Sequence, residues 1–230
     1  MIDKNNLKRV LSQIVSAKKK SNNNKTVKIV AVTKNHPSSV ITSSYNEGLR
    51  HIGENRVQEG EKKIREINNN NFPDLTKRFI GHLQSNKVNK CLDVFDTIDS
   101  VHSLRLAKKI SKRAGVIEKR VPVLLEVKTS NEKRKSGFNV EETNEMLLCS
   151  ELPNIQVKGL MTMAPFTKDQ EKIRNSFSTL RFLLEKLNKQ KPELKIFELS
   201  MGMSSDFKIA IEEGSTMIRL GTVLFGKRKT

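Results

Sequence analysis

The sequence predicts an α/β fold, a single closed (β/α)8 barrel of the TIM type. Segments of strand character and segments of helical periodicity alternate eight times along the 230 residues. Such alternation implies parallel strands joined by right-handed helical crossovers. The first strand, at residues 29–32, is wholly apolar, which indicates burial on both of its faces. Eight units favour one barrel domain over residues 1–230, and an open doubly wound sheet is the alternative.

Four strand–helix units are predicted in the first half of the chain. Apolar residues at helical spacing predict an opening helix, and Pro37 lies where we expect the first turn of the next helix. Gly115 is a residue type favoured just beyond a helix end, so the helix before it should stop there. The predicted helices are at 4–19, 37–49, 57–64, 85–92 and 103–115, and the strands are at 29–32, 51–55, 78–81 and 94–100.

The second half repeats the same alternation. The clearest strand after the first is VPVLLEVKTS, and the loop NEKRKSGF follows it. The predicted strands are at 121–130, 155–163, 195–200 and 215–221, and the helices are at 140–150, 169–189 and 205–214. Ser204 or Ser205 is expected to cap the last of these helices.

Composition limits the classes of function. The chain has 43 Lys+Arg against 25 Asp+Glu, a net charge of +18, which makes nucleic-acid binding one alternative. The basic residues are scattered, however, and aromatic content is only 5% with no Trp, so platforms for base stacking are scarce. Two distant cysteines predict neither a disulfide nor a metal site. No apolar run approaches about 18 residues, so we expect a cytoplasmic protein without a membrane anchor. The absence of a long apolar surface stripe favours a monomer.

Three stretches place chemistry at the carboxyl ends of strands, where such barrels have their active face. Lys34 follows directly after the first apolar strand. SMGMSSDF, with Ser204, follows the seventh strand, and RLGTVLFG, with Gly221 and Thr222, follows the eighth. The loops after strands seven and eight commonly bind phosphate in these barrels. The alternative is a lysine that extends into solvent beside two ordinary glycine-containing turns.

A lysine beside a phosphate site suggests a Schiff base with a phosphorylated aldehyde. A desolvated lysine near cations has a lowered pKa, so its free amine can attack a carbonyl group. Pyridoxal 5′-phosphate (PLP) carries both the aldehyde and the phosphate. Arg219 would then face the pyridine nitrogen and keep it unprotonated, because arginine does not give up its proton. A structural ion pair is the alternative role for Arg219.

Seven stretches resemble one family in order and in sequence. They are VAVTK (30–34), IGENRVQE (52–59), FIGHLQSNK (79–87), EVKTSNEKRKSGF (126–138), KGLMTM (158–163), ELSMGMSSDF (198–207) and GSTMIRLGTVLFG (214–226). This set resembles the pyridoxal-phosphate homeostasis protein family, which is related to the barrel domain of alanine racemase. Positions that depart from the family pattern are Arg56, Arg78, Lys128 and Asn131.

The resemblance implies a PLP carrier. It places the cofactor on Lys34, the phosphate contacts on Ser204, Gly221 and Thr222, the pyridine nitrogen at Arg219, and Asn55 on the same face. It also implies PLP homeostasis and delivery, with apo-PLP enzymes as candidate partners and without efficient turnover of amino acids. The alternative is a weak PLP-dependent racemase or decarboxylase. The only tyrosine, Tyr45, falls in the first crossover helix, so the second base of a racemase is missing from the expected site.

Overall fold

A closed parallel barrel forms the centre of the molecule. The computed structural model describes residues 1–21, 25–68, 71–130, 132 and 136–226. Within them the strands are β1 (Lys28–Val32), β2 (His51–Glu54), β3 (Thr76–Phe79), β4 (Thr97–Val101), β5 (Val121–Lys128), β6 (Phe138–Asn139), β7 (Ile155–Met161), β8 (Glu198–Ser200) and β9 (Met217–Leu220). Their order is β4-β3-β2-β1-β9-β8-β7-β5, and pairing of β4 with β5 closes the ring. The predicted barrel is confirmed, and the open sheet is excluded.

Helices surround the barrel, and apolar side chains fill the space between the two layers. The helices are α1 (Lys4–Lys20), α2 (Ser39–Asn46), α3 (Val57–Glu66), α4 (Val88–Val94), α5 (Leu104–Val116), α6 (Thr143–Ser150), α7 (Gln170–Gln190), α8 (Phe207–Glu212) and α9 (Thr222–Phe225). Asp3 caps α1 by accepting hydrogen bonds from the backbone N–H groups of Asn5 and Asn6. The apolar stripe of α1 then packs with Phe207 and Ile218, so this helix covers the part of the barrel where the last strand is located.

The barrel interior is layered, and its layers set the height of the candidate site. An apolar layer lies in the middle and consists of Val30, Leu124, Met161 and Met217. Towards the amino ends of the strands, Lys28 pairs with Glu198 at 2.5 Å and Arg78 pairs with both carboxylate oxygens of Asp99 at 3.0 Å. Side chains alternate along a strand. The inward positions above the apolar layer on β1 and β9 therefore lead towards Lys34 and Gly221.

One glycine lets two barrel strands pair closely. Gly159 of β7 pairs with Glu198 of β8. A Cβ atom at Gly159 would lie only 1.9 Å from the backbone carbonyl oxygen of Glu198. That oxygen belongs to the sheet and has no rotamer by which to move away, so this position requires glycine.

Several predicted boundaries were wrong for local reasons. Helix α2 begins at Ser39, so Pro37 precedes the N-cap Ser38 and is not in the first turn. The third strand ends at Phe79, earlier than predicted, because Gly81 packs against the backbone of Asn55 and the chain turns there. Gly115 lies inside α5, which ends at Val116, and Glu118 takes the left-handed conformation instead, with φ 51°.

The predicted loop after β5 ends in an additional short strand. Strand β6 was not predicted; its two residues pair with the end of β5. The predicted loops are only partly described, because residues 69–70, Asn131 and residues 133–135 lie outside the described residues, as does the end of the chain, 227–230. Cys91 and Cys149 are buried free thiols, and burial raises the pKa of each. In the described part of the chain, no three metal-ligating side chains cluster and no helix is long and apolar enough to span a bilayer.

Candidate functional site

A cavity of about 680 Å³ opens at the carboxyl end of the barrel. Its polar lining includes Lys34, His36, Ser204, Arg219, Gly221 and Thr222. Apolar side chains complete the wall, among them Val32, Ile80, Met163 and Met203. Five of the six residues that the sequence proposed for the site therefore line one cavity.

Asn55 is the sixth proposed residue, and it is not part of this lining. It follows β2, and Gly81 packs tightly on its backbone: a Cβ atom at Gly81 would lie 2.2 Å from the Asn55 carbonyl oxygen. The side-chain Oδ1 of Asn55 is buried and has no hydrogen-bond partner among the described residues. Asn55 thus lies at the same end of the barrel with an unsatisfied polar atom, which is a feature of sites that receive a ligand or water.

Lys34 lies on a tight turn directly after β1. Strand β1 ends at Val32, and the N–H of His36 donates to the carbonyl oxygen of Thr33 at 3.1 Å to close the turn. Asn35 adopts φ 61°, a left-handed conformation that asparagine tolerates better than most residues. Lys34 is half-buried at the cavity wall. The sharp turn therefore holds its side chain at the mouth of the barrel.

The loops after β8 and β9 meet beside Lys34. Gly202 has φ 98°, and a Cβ atom there would lie 2.6 Å from that of Ala210, so the turn after β8 requires glycine. Ser204 in this loop accepts a hydrogen bond of 3.3 Å from the backbone N–H of Val223 in α9, which links the two loops. Gly221 precedes α9 and lies against Val32, with 3.4 Å between its ideal Cβ position and the Val32 carbonyl oxygen.

The predicted cap of α8 was wrong. Asp206 occupies the N-cap position, and its side chain accepts a hydrogen bond of 2.5 Å from the backbone N–H of Met203. The side chains of Ser204 and Ser205 therefore do not cap the helix, and both residues line the cavity. A hydroxyl group that does not cap a helix remains available to a ligand.

Arg219 is fixed by neutral acceptors. The residue is 5% exposed, and its guanidinium donates to the carbonyl and hydroxyl oxygens of Ser200 at 2.7 and 2.8 Å and to the carbonyl oxygen of Thr162 at 2.8 Å. Among the described residues, the guanidinium of Arg219 thus bonds to neutral oxygens. Within that part of the chain it does not form the ion pair that the sequence left open as an alternative. Burial lowers the pKa of Arg219, and nearby carboxylates oppose this shift. Arginine still remains protonated in proteins, so the cavity floor carries a fixed positive charge.

Glu126 is a buried acid near the site that the sequence reasoning missed. It is 6% exposed on β5, on the same inward face as Leu124. Burial raises the pKa of Glu126 from 4.5 to about 7, and the charge of Arg219 partly opposes the shift. A single acidic residue within the otherwise apolar strand VPVLLEV was the available sequence signal.

The pH dependence of stability tests the burial of Glu126. A carboxyl group with a raised folded pKa contributes stability below about pH 4.5 that is lost as pH rises through about 7. Relative to a Glu126→Gln variant, we expect the free energy of unfolding of the cofactor-free wild type to fall by about 3 kcal/mol between about pH 4 and pH 8. Denaturant unfolding at several pH values measures this difference. Exposed Glu141→Gln is the control, and a difference that does not vary with pH would contradict the assignment.

Tyr45 lies away from the cavity. It is on α2, as expected, where its hydroxyl group donates to Asp74, its ring contacts Phe72 edge-on at 4.9 Å and the guanidinium of Arg50 lies 4.0 Å above it. Phe72 and Asp74 precede β3, so this cluster is at the amino-terminal end of the barrel. Tyr45 therefore does not face Lys34 across the site.

Comparison with known proteins shows which proteins the chain resembles. The family model for the alanine racemase N-terminal domain matches residues 2–229. A pyridoxal phosphate homeostasis protein of Aquifex aeolicus is 40% identical over 225 residues, which are 97% of both chains. The PLP-bound structure of PipY from Synechococcus elongatus is 38% identical, with a TM-score of 0.82 and coverage of 93% of this chain and all of that one.

A more distant structure shows the fold alone. The structure of alanine racemase from Clostridium difficile in complex with cycloserine superimposes with a TM-score of 0.79 at 20% identity. The match covers all of this chain and 61% of that one. The chain therefore belongs to the alanine racemase N-terminal domain family and, within it, to the pyridoxal phosphate homeostasis proteins.

Proposed function

We propose that this protein binds PLP covalently through Lys34 and serves its intracellular homeostasis and delivery without efficient turnover of amino acids. The observation that carries the proposal is the shared cavity, in which Lys34 lies beside the two loops after β8 and β9. Relatives that are 36–40% identical over most of the chain are named pyridoxal phosphate homeostasis proteins. We propose further that residues 1–230 act as one cytoplasmic, monomeric barrel domain.

The residues of the cavity fit this cofactor. Gly221 lines the cavity and has no side chain to cover its backbone, and the hydroxyl groups of Ser204 and Thr222 line the same cavity, where they can donate to a phosphate. Arg219 provides a rigid donor for the pyridine nitrogen, and Asn55 has a buried side-chain oxygen that no described residue bonds. When bound, PLP supplies two things: an electron-withdrawing ring, and an aldehyde that can link to an amine. Lys34 is the amine that reaches the cavity from the end of β1.

The same residues limit catalysis. Arg219 donates but does not release a proton, so it leaves the ring nitrogen unprotonated and the ring a weaker electron sink. Tyr45 lies away from the cavity, and His36 is the imidazole that lines the cavity together with Lys34. The ring of His36 packs against Phe225 at 5.2 Å. A weak racemase or decarboxylase, the alternative function, would need His36 as its second proton-transfer group.

A spectroscopic titration tests the proposal. Adding PLP to the purified protein should produce a visible absorption band, and borohydride should fix the cofactor to the peptide that contains Lys34. Protein without affinity for PLP would contradict the proposal. Exchange of the α-proton of several amino acids in deuterated water then separates the two functions. We expect negligible exchange, whereas exchange at enzyme-like rates that is lost in His36→Gln would establish the alternative.

The proposed phosphate contacts of Ser204 and Thr222 have a separate test. In the double variant Ser204→Ala/Thr222→Val we expect the dissociation constant for PLP to rise at least about 100-fold, because two hydrogen bonds to a charged group are lost and each is worth about 1.5–3 kcal/mol. The dissociation constant for pyridoxal, which has no phosphate, should change less than about threefold in the same variant. Absorbance titrations with both ligands give this ratio. Equal losses for PLP and pyridoxal would place the phosphate elsewhere.

A further inference from the structure

A buried ionic cluster lies behind the turn that carries Lys34. It consists of Glu54, Glu59 and Lys63, and we name it the Lys63 cluster. The ammonium of Lys63 donates to Oε1 of Glu54 at 2.8 Å and to Oε1 of Glu59 at 2.6 Å. Lys63 and Glu54 are 5% and 1% exposed. A charged lysine buried to this degree in a small protein needs an explanation, since most lysines remain in solvent.

The Lys63 cluster holds the residues on both sides of Lys34. The third hydrogen bond of the Lys63 ammonium goes to the carbonyl oxygen of Thr33 at 2.7 Å. The hydroxyl group of Thr33 donates to Oε1 of Glu54 at 2.6 Å, and the N–H of Asn35 donates to Oε1 of Glu59 at 2.5 Å. The cluster therefore fixes the backbone immediately before and immediately after Lys34.

The secondary structure explains how three separate elements meet here. Glu54 ends β2, which pairs with β1, and the N–H of Thr33 donates to the carbonyl oxygen of Gly53 at 3.1 Å. Glu59 and Lys63 are four residues apart on α3 and so lie on one helix face. Helix α3 thus presses a charged pair onto the turn after β1. Asn35, which has the left-handed conformation with φ 61°, is fixed by its hydrogen bond to Glu59.

We propose that Lys63 is a positioning residue, which places the amine of Lys34 for its covalent link to the cofactor by fixing Thr33 and, through Glu59, Asn35. The inference rests on the proposed function. It assigns to Lys63 no contact with the ligand, because its ammonium is fully engaged with Thr33, Glu54 and Glu59. The loops at Ser204 and Gly221 follow β8 and β9, and the three hydrogen bonds of the Lys63 ammonium do not go to them.

The test compares two ligands that differ only in the reactive group. PLP needs Lys34 for its covalent link, whereas 4′-deoxypyridoxine phosphate has the same ring and phosphate without an aldehyde. In Lys63→Gln we expect the dissociation constant for PLP to rise at least about tenfold and that for the deoxy ligand to change less than about twofold. Lys63→Arg, which keeps the charge, should restore part of the PLP affinity. Equal changes for both ligands, or none, would overturn the proposal.

Two controls make the outcome specific. Lys62→Gln removes the neighbouring lysine on α3, whose side chain is 80% exposed, and should leave both affinities unchanged. If Lys63→Gln fails to fold by circular dichroism, Glu59→Ala takes its place, because it removes the acceptor of the Asn35 N–H at a residue whose side chain is 21% exposed. Wild-type protein that forms no link to PLP would refute the proposed function. Wild-type protein that does form the link, with Lys63→Gln equal to it, would refute only the positioning role.

Discussion

Lys34→Ala is expected to remove the visible absorption band that PLP gives with the wild type and to raise the dissociation constant about 100-fold. In the proposed function the variant loses the amine for the covalent link, while the loops at Ser204 and Gly221, which line the same cavity, are kept for the phosphate. A loss of this size corresponds to about 3 kcal/mol. Absorbance titration measures it, and peptide mapping after borohydride reduction identifies the labelled residue in the wild type.

A second substitution at the same position separates charge from reactivity. Lys34→Arg keeps a positive charge at the cavity wall but has no free amine, so it should lose the band as Lys34→Ala does and bind PLP somewhat more tightly than that variant. Lys34 would be the wrong residue if the main wild-type adduct mapped to a peptide that does not contain it. It would also be wrong if Lys34→Ala kept the wild-type band and affinity.

Gly159→Ala is expected to destabilise the protein by about 3 kcal/mol or more. The new methyl group would meet the backbone carbonyl oxygen of Glu198 at 1.9 Å, where only separation of β7 from β8 can relieve the overlap. Overpacking in a rigid core usually costs about 1–3 kcal/mol, and here the obstacle is backbone. Urea unfolding monitored by circular dichroism gives the difference. A change below about 1 kcal/mol would contradict the close strand approach.

A second glycine provides the matched control. Gly115 lies inside α5, and a Cβ atom there would meet the amide nitrogen of Asn154 at 2.6 Å, which is the end of a flexible side chain. Alanine is favoured over glycine in a helix by about 1 kcal/mol, which offsets the loss of the hydrogen bond from Asn154 to Ser111. The net change in Gly115→Ala should therefore stay within about 1 kcal/mol.

The fold was predictable where hydrophobic pattern and turn chemistry agree. The apolar run before Lys34 and the stretch VPVLLEV are strands in the structure. The eight alternating strand and helix units implied a closed barrel. Element ends were less predictable because tertiary contacts set them. Gly115 remains in its helix against Asn154, and the third strand stops where Gly81 meets the backbone of Asn55.

The candidate site divides in the same way. Lys34, Ser204 and Gly221 stand out because each follows a strand at the face where parallel barrels have their chemistry. Glu126 and Lys63 were missed, since the pattern does not show whether a charged residue is buried. Lys63 lies in the highly charged stretch EGEKKIRE, which looks like a solvated helix surface, yet α3 turns this side chain inwards onto Glu54.

Pairing of the first and last strands of the barrel has a consequence for biosynthesis. Val30 of β1 pairs with Arg219 of β9, and this seam brings Lys34 next to Gly221. The ribosome makes Lys34 long before Gly221, so a nascent chain has no complete cavity until β9 has been made and released. Contacts between residues so far apart in sequence also form slowly. A ligand that bridges the seam binds only the closed ring and stabilises it against reopening.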